Sequence, residues 1–396
     1  MRNFHITIWL GSAPRPRASV FVSLFTFVVL VRTVLITVVP LQALAFLETA
    51  QKVSVLYLCV SVFGVAGSLS IPWLVHKIKR RWTFTLAGVC AVAAAACFAS
   101  GYLPLFVLGM VFQVFSVASF EISLNLYIMD HIPKKDLGHF EPTRVFFAAG
   151  AYSAGPWFGV FLWTQAAAWA PFVLSAILAA AVVAFFWYLR LTENPAVSPM
   201  KTKPPNPVRY IKRFVEQPRL RLSWMLAVGR SGWWSMFFIY APIYAVESGL
   251  GDEAGGLLVS LGLACAFLVP LWGWIARHFG VRRLLVAAYT LSGLASIAVA
   301  FAMELPLLGA AVLLGAALLT ATIDGAGNIP FLRAVHPTER AEMTTVFATY
   351  RDAGQLLPPA TFAVLLKIFP LASVFVASGA AALILAYYAR YIPKKL

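Results

Sequence analysis

Four charged side chains stand inside long apolar runs of the sequence. Arg32 lies in the middle of VVLVRTVLITVVP, at 28–40, and Arg230, Glu121 and Asp324 lie in three further apolar runs. A charge at the centre of a membrane helix costs about 2.5–3.5 kcal/mol on insertion scales. Such residues mark a substrate path or a proton relay, or they form static pairs that hold helices together. In the first case the arginines bind an anionic or polar group and the carboxylates exchange protons.

Each of the two carboxylates is followed four residues later by an asparagine, as Glu121 is by Asn125 and Asp324 is by Asn328. Residues i and i+4 share a helix face, so each amide is expected one turn from its acid. Gln113 extends the first of these polar stripes. The two stretches are equivalent at an offset of 203 positions, whereas the two arginines depart from that equivalence by about one turn. We predict that the amides, like the arginines, bind substrate.

Aromatic residues follow Arg230 at helical spacing. Trp233, Trp234 and Phe237 come three, four and seven positions later, which places them on one helix face beside the arginine. This stripe predicts a wall for an amphipathic or ring-bearing substrate. The alternative is that these rings pack in the core or against lipid.

A second charged group stands near the ends of two other apolar runs. Glu141 and Arg144 open the fifth run, and Arg351 and Asp352 lie in the eleventh. We predict that these residues form a gate of ion pairs between the two halves of the chain. Purely local pairing is the alternative.

The composition identifies a membrane protein. The 396 residues are 61% hydrophobic and 12% charged, far from the roughly 25% charged residues of soluble domains. The net charge of +16 falls in short basic clusters between apolar runs, which is the pattern of cytoplasmic loops and not of a nucleic-acid surface. The four cysteines lie inside apolar runs, without metal-ligand or disulfide spacing. The sequence contains no HExxH, GxxxxGK[ST] or GxSxG motif, so none of these signatures of enzymes is present.

About 20 apolar residues cross a bilayer, and only helices satisfy the backbone of such segments. We predict twelve helical spans, at 19–46, 53–75, 82–101, 104–129, 144–165, 169–190, 222–246, 254–276, 283–302, 306–331, 343–366 and 370–391. The proline-rich and basic segment 191–221 separates six spans at 1–190 from six at 222–396. Basic loops on one side place both termini and this linker in the cytoplasm.

The two halves repeat each other. HKIKRR at 76–81 follows the second span and RHFGVRR at 277–283 follows the eighth, so Arg80 and Arg81 correspond to Arg282 and Arg283. Parallel repeats of this kind are typical of one large transporter fold. The second loop, with Gly273 and Gly280, resembles the loop that follows the second span in the major facilitator superfamily. In both loops of this chain, however, the acidic residue of the family's motif is replaced.

That resemblance covers the whole chain and implies two six-helix bundles around a central cavity lined by spans one, four, seven and ten. Each of those spans carries one of the four embedded charges. The fifth span, GAYSAGPWFG, further resembles the glycine-proline signature of proton-coupled drug antiporters in Gly150, Gly155, Pro156 and Gly159. Tight helix packing alone is the alternative reading of these residues.

The resemblance implies a secondary active transporter of the inner membrane that acts by alternating access. We expect a proton-coupled exporter of small amphipathic or anionic molecules, with Glu121 and Asp324 as the proton sites. A carrier or exchanger of organic anions, including organophosphates, is the alternative. We expect a monomer in the lipid bilayer, with a small-molecule substrate, no nucleic-acid partner, and no metal or cofactor.

Overall fold

The chain is folded into helices. The computed structural model describes residues 18–132, 137–189, 207–336 and 339–393, and the regular structure within those ranges is entirely helical. The α-helices are α1 Ala18–Thr33, α2 Val38–Leu47, α3 Ala50–Ile78, α4 Arg80–Ala99, α5 Leu103–His131, α6 Leu137–Phe161, α7 Ala170–Tyr188, α8 Pro207–Glu216, α9 Pro218–Glu247, α10 Asp252–Ala264, α11 Val269–Phe279, α12 Val281–Phe301, α13 Pro306–Ala326, α14 Ile329–Ala334, α15 Arg340–Ala348, α16 Tyr350–Leu365 and α17 Ala372–Ala389.

The helices follow the predicted spans closely. Nine segments of the described chain are long and apolar enough to cross a membrane, or ten if α10 and α11, bent by 52°, form one span. The other two predicted spans coincide with α9 and with α15 and α16. Helix α9 contains Arg230, and α16 contains Arg351 and Asp352, so both segments carry charged residues among their apolar ones. The chain is therefore an all-α, multi-pass membrane protein, and twelve remains the predicted number of spans.

The first span, predicted as one helix at 19–46, is interrupted just beyond Arg32. Helix α1 ends at Thr33, and α2 begins only at Val38. Helix α6 packs its glycines against this break. A Cβ built on Gly159 would lie 1.8 Å from the carbonyl oxygen of Val34, and one on Gly155 would lie 2.3 Å from Oγ1 of Thr33. The two glycines thus permit a backbone approach that any side chain would block.

The apolar core is distributed unevenly along the bundle. We call the end that carries α8 the linker end and the opposite end the far end. Toward the far end one continuous core joins both halves, with Leu35 and Val160 of the first half packed in the same cluster as Phe237 and Leu258 of the second. Toward the linker end the larger cores each belong to a single half. The two halves therefore share an apolar core toward the far end, whereas toward the linker end each half has apolar cores of its own.

Polar contacts between the halves reinforce the far end. The hydroxyls of Ser54 in α3 and Tyr240 in α9 lie 2.5 Å apart. Gln165, after α6, donates to Oε1 of Glu253 in α10 at 2.6 Å. Deeper in the bundle, Oγ of Ser260 in α10 accepts from the backbone N–H of residue 157 in α6 at 2.8 Å. Helix pairs α6 with α10 and α3 with α16 form the principal contacts between the halves.

The duplicated loops also correspond in backbone conformation. Lys79 has φ +69° and Gly280 has φ +89°, and each separates the two helices of its repeat. Arg80 and Arg81 begin α4, as Arg282 and Arg283 lie in the first turn of α12. Glycine adopts a positive φ without strain, whereas lysine does so at a cost. Both loops therefore pass through one residue of positive φ before the second helix, displaced by one position from the 202-residue offset of the basic residues.

Candidate functional site

Arg230 is the centre of a polar cluster in the second half. Its Nε lies 3.3 Å from Oδ1 of Asp324, and its Nη2 donates to Oδ1 of Asn328 at 3.1 Å. Trp234 donates from Nε1 to the second carboxylate oxygen of Asp324 at 2.8 Å. The arginine side chain is 7% exposed and the Asp324 side chain 35%. The carboxylate is thus held by two donors while part of it remains accessible.

Tyr350 connects this cluster to the other half of the protein. It is the first residue of α16, and its hydroxyl accepts from Nη2 of Arg230 at 3.3 Å and from Nε of Arg351 at 3.4 Å. Arg351 in turn pairs through Nη1 with Oε1 of Glu121 in α5, at 2.6 Å. One chain of contacts therefore runs from Asp324 through Arg230, Tyr350 and Arg351 to Glu121, and its last step crosses between the halves.

Arg32 has a different environment from the other two arginines. Its Nη2 donates to the hydroxyl of Tyr152 in α6 at 2.5 Å, and its guanidinium carbon lies 5.2 Å from the centre of that ring. Its Nε is buried and has no hydrogen-bond partner in the described part of the chain. No carboxylate of the described residues lies within 4.0 Å of it. A static pair of Arg32 with one of the embedded carboxylates is therefore not formed, because Glu121 pairs with Arg351 and Asp324 with Arg230.

The arginine-tyrosine pair is repeated in the two halves. Arg32 and Tyr152 are 120 residues apart, and so are Arg230 and Tyr350. Both members of the second pair follow their counterparts by 198 positions. The guanidinium-to-ring distances also agree, at 5.2 and 5.5 Å. With respect to their tyrosines the arginines are strict equivalents. Sequence reasoning missed both tyrosines because it compared the arginines with the 203-residue offset of the acids, and the signal that could have found them was the 198-residue offset.

The predicted gate residues are placed separately. Arg144 donates from Nη1 to Oδ1 of Asn125 at 3.2 Å, within the first half. Its guanidinium carbon lies 4.3 Å from the centre of the Phe25 ring in α1. Arg351 does cross between the halves, but to Glu121 and not to the fifth span. Asp352 also faces the other half, where its carboxylate lies near the hydroxyl of Ser68 in α3. The side chain of Glu141 lies outside the described residues.

The predicted aromatic stripe divides into a buried and an accessible part. Phe237 is fully buried, and Trp233 stacks on it at 5.3 Å and donates to Oγ of Ser296 at 2.9 Å. Both belong to the shared core, which agrees with the packing alternative. Trp234 instead bonds Asp324 and stacks on Phe238 at 5.6 Å. Of the three aromatic residues predicted to bind substrate, Trp234 alone lies directly at the carboxylate.

Four further predicted residues lie away from these contacts. Gln113 is in α5, two turns from Glu121, and makes no side-chain hydrogen bond to a described residue. Gly150 has open space where a Cβ would be, unlike Gly155 and Gly159. Pro156 lies within α6, and Gly273 within α11. Within the described ranges no cluster of three or more metal-ligating side chains occurs.

This arrangement can bind an anion and move a proton. A guanidinium presents a planar fork of donors that matches carboxylate and phosphate. The side chains of Glu121 and Arg351 are 37% and 58% exposed, although they bridge the two halves. Solvent therefore reaches the level at which the embedded charges meet. A carboxylate with such access can exchange protons with water as its cation partner approaches or withdraws.

Comparison with known proteins agrees with this architecture. The sequence profile of the Major Facilitator Superfamily matches residues 21–264. Solved structures of similar fold include the nucleoside transporter NupG (TM-score 0.75, 12% identity, covering 95% of this chain and 98% of that one). They also include a D-xylose-proton symporter (TM-score 0.72, 12% identity, 95% and 97% coverage) and a peptide transporter POT (TM-score 0.73, 13% identity, 94% and 94% coverage).

No curated protein sequence matches the chain significantly. The profile nevertheless covers more than half of the residues, including both of the first half's embedded charges and Arg230. Relatives of known structure span nearly the entire chain with the same helical arrangement. The chain is therefore a member of the major facilitator superfamily of membrane transporters.

Proposed function

We propose that this protein is a secondary active transporter of small organic anions, and that Arg32 binds the anionic group of the substrate. The observation that carries the proposal is the pairing of the three arginines. Arg230 is neutralised by Asp324 and Arg351 by Glu121, whereas Arg32 has a neutral phenol, Tyr152, as its partner. Within the described residues its charge is therefore uncompensated.

An uncompensated guanidinium in a membrane bundle is costly, so it gains strongly from an incoming anion. Tyr152 fixes one edge of the guanidinium through Nη2 and one face through its ring. The buried Nε has no hydrogen-bond acceptor among the described residues. A carboxylate or phosphate that binds the guanidinium neutralises its charge through charge-assisted hydrogen bonds. This is the chemistry that a neutral substrate does not supply.

Asp324 supports coupling to protons. Its carboxylate is held by Arg230 and Trp234 and remains partly accessible. We propose that protonation of Asp324 releases Arg230 and that proton binding and substrate binding alternate. Export by antiport, which the fifth-span signature favours, is the direction we propose. The basic clusters support a location in the inner membrane with the linker and both termini in the cytoplasm.

The test is transport by purified protein in liposomes with an imposed pH gradient. The substrate panel contains succinate, glycerol 3-phosphate and AMP as anions. Uridine, D-xylose and a dipeptide represent the substrate classes named for the solved relatives. We expect anion transport that responds to the gradient and falls at least about tenfold in Arg32→Ala, the scale of one charge-assisted contact.

Arg221→Ala is the matched control, because Arg221 is an exposed arginine near the linker end of α9. Transport of the neutral compounds alone, with Arg32→Ala unchanged, would overturn the proposal. Anion exchange that ignores the pH gradient would support the organic-anion exchanger and exclude proton coupling. The sign of the gradient that drives accumulation decides between import and export.

A further inference from the structure

We infer that Glu121 is an internal counter-ion that exchanges between Arg351 and Arg32 and so competes with the substrate for Arg32. This inference rests on the proposed anion site at Arg32 and adds a carboxylate that displaces the substrate anion from that site. Its starting point is an asymmetry between the repeats. Glu121 is the repeat equivalent of Asp324, but Asp324 pairs with the arginine of its own half, whereas Glu121 pairs with one from the other half.

In the second half, the acidic residue of the repeat contacts the arginine of the same half. Arg230 is bound by both members of the acid-x-x-x-Asn stretch, Asp324 at 3.3 Å and Asn328 at 3.1 Å, and by Tyr350. Arg32 is the equivalent of Arg230 with respect to its tyrosine. In the same geometry, Glu121 would complete the site around Arg32. In the structure this place at Arg32 is not taken by any described carboxylate.

Contacts in the first half place the two side chains at one level. Arg144 binds Asn125 of α5 and lies over Phe25 of α1, so Asn125 and Phe25 are at similar depth. Glu121 is four residues, about 6 Å, nearer the far end than Asn125, and Arg32 is seven residues, about 10 Å, nearer the far end than Phe25. Helical side chains lean toward the N-terminus of their helix. The two helices run in opposite directions, so Arg32 and Glu121 lean toward each other.

The present partner of Glu121 holds it loosely. The Arg351 side chain is 58% exposed and the Glu121 side chain 37%, whereas the arginine of the Arg230–Asp324 pair is 7% exposed. Exposed ion pairs are screened by water and contribute little net stability. Exchange of Glu121 to a more buried cation is therefore feasible. Arg351 thus keeps Glu121 away from Arg32 and leaves Arg32 free for the substrate.

The test is a double-mutant cycle on binding affinity, measured by titration calorimetry on the detergent-solubilised full chain with succinate, glycerol 3-phosphate and AMP. Arg351→Ala frees Glu121, and we expect it to raise Kd about tenfold. Glu121→Gln in the wild-type background should change Kd less than about twofold, because Arg351 already holds that carboxylate. The double variant Glu121→Gln with Arg351→Ala should recover the wild-type Kd. Arg351→Lys is the conservative control and should retain near-wild-type affinity.

The decisive quantity is non-additivity. If Arg351 acts only through its long-range charge, Glu121→Gln changes Kd by the same factor in both backgrounds, and the exchange is overturned. A large effect only in the Arg351→Ala background supports it. Wild-type protein that binds none of the three anions overturns the proposed function, and the exchange with it. Binding that is lost in Arg32→Ala but shows no coupling between Glu121 and Arg351 leaves the anion site standing and overturns the exchange alone. Thermal unfolding of each variant verifies that it is folded.

Discussion

The hydroxyl of Tyr350 accepts a hydrogen bond from Arg230 at 3.3 Å, and the two residues are separated by the same 120 positions as Arg32 and Tyr152. The repeat therefore preserves a contact between two helices as well as a sequence pattern. The second copy has an additional neighbour, Arg351, on the same hydroxyl. A contact that orients one arginine in the first half thus connects two arginines in the second.

Tyr350→Phe should reduce transport while leaving the fold intact. The change removes the acceptor shared by Arg230 and Arg351 but keeps the ring on which both guanidiniums lie. We expect turnover to fall about tenfold, in line with one hydrogen bond to a charged group. The measurement is initial transport rate in liposomes. Tyr387→Phe is the control, since Tyr387 is exposed on α17, and equal loss in both variants would argue against the role of Tyr350.

Asp324→Asn should lower thermal stability because it leaves Arg230, which is 7% exposed, without its counter-ion. The expected loss is about 1–3 kcal/mol, below that of a fully buried pair because the carboxylate is partly accessible. Replacing Arg230 as well, in Arg230→Met with Asp324→Asn, should recover most of that loss. The midpoint of thermal unfolding monitors both. No recovery in the double variant would mean that the pair is not the source of the loss.

Gly159→Ala should disrupt the packing of α6 against the break in the first span. Its Cβ would lie 1.8 Å from a backbone oxygen, which cannot move aside as a side-chain end can. We expect a drop of several degrees in the unfolding midpoint, the range for overpacking of about 1–3 kcal/mol. Gly150→Ala serves as the matched control because no atom lies within 4 Å of its added Cβ. Equal stability of the two variants would contradict the packing role of Gly159.

A disulfide between α6 and α10 should arrest transport by holding the far end closed. The Cβ of a side chain at Gly256 would lie 3.0 Å from the Cβ of Val160, close to the spacing of about 3.5–4.5 Å in disulfides. The pair Val160→Cys with Gly256→Cys is made in a background without the four native cysteines. Oxidation should abolish transport, and reduction should restore it. The single-cysteine variants control for the substitutions, and full transport by the cross-linked protein would exclude movement of these helices.

The fold could be predicted from the sequence because few backbone structures are stable within a lipid bilayer. Apolar runs of about 20 residues must be helices, and the matching basic loops at 76–81 and 277–283 revealed the duplication. The break after Arg32 has a local signal in Pro40, which has no N–H for the carbonyl of Ile36 and crowds that carbonyl with its ring. The interrupted residues 34–37 themselves contain neither glycine nor proline, so the exact position of the break was not predictable. It is held by tertiary contacts from Gly155 and Gly159, which lie more than a hundred residues away.

The sequence identified the charged residues of the candidate site but did not show which of them pair with each other. Charges are rare in apolar runs, so Arg32, Arg230, Glu121 and Asp324 were easily found. Tyr152 and Tyr350 were missed because tyrosine is common in membrane helices and because the offset of 198 positions that they share with Arg32 and Arg230 differs from the 203 positions of the acids. The ion pair between Arg351 and Glu121 joins the two halves, and no local sequence pattern encodes a contact between residues 230 positions apart.

The unequal distribution of apolar residues along the bundle makes one end of the protein easier to open than the other. Opening the far end would separate a core to which both halves contribute, whereas opening the linker end separates none of comparable size. We therefore expect a solute to reach the proposed anion site from the linker side more readily than from the opposite side. The same carrier should therefore half-saturate at different concentrations when measured from its two faces.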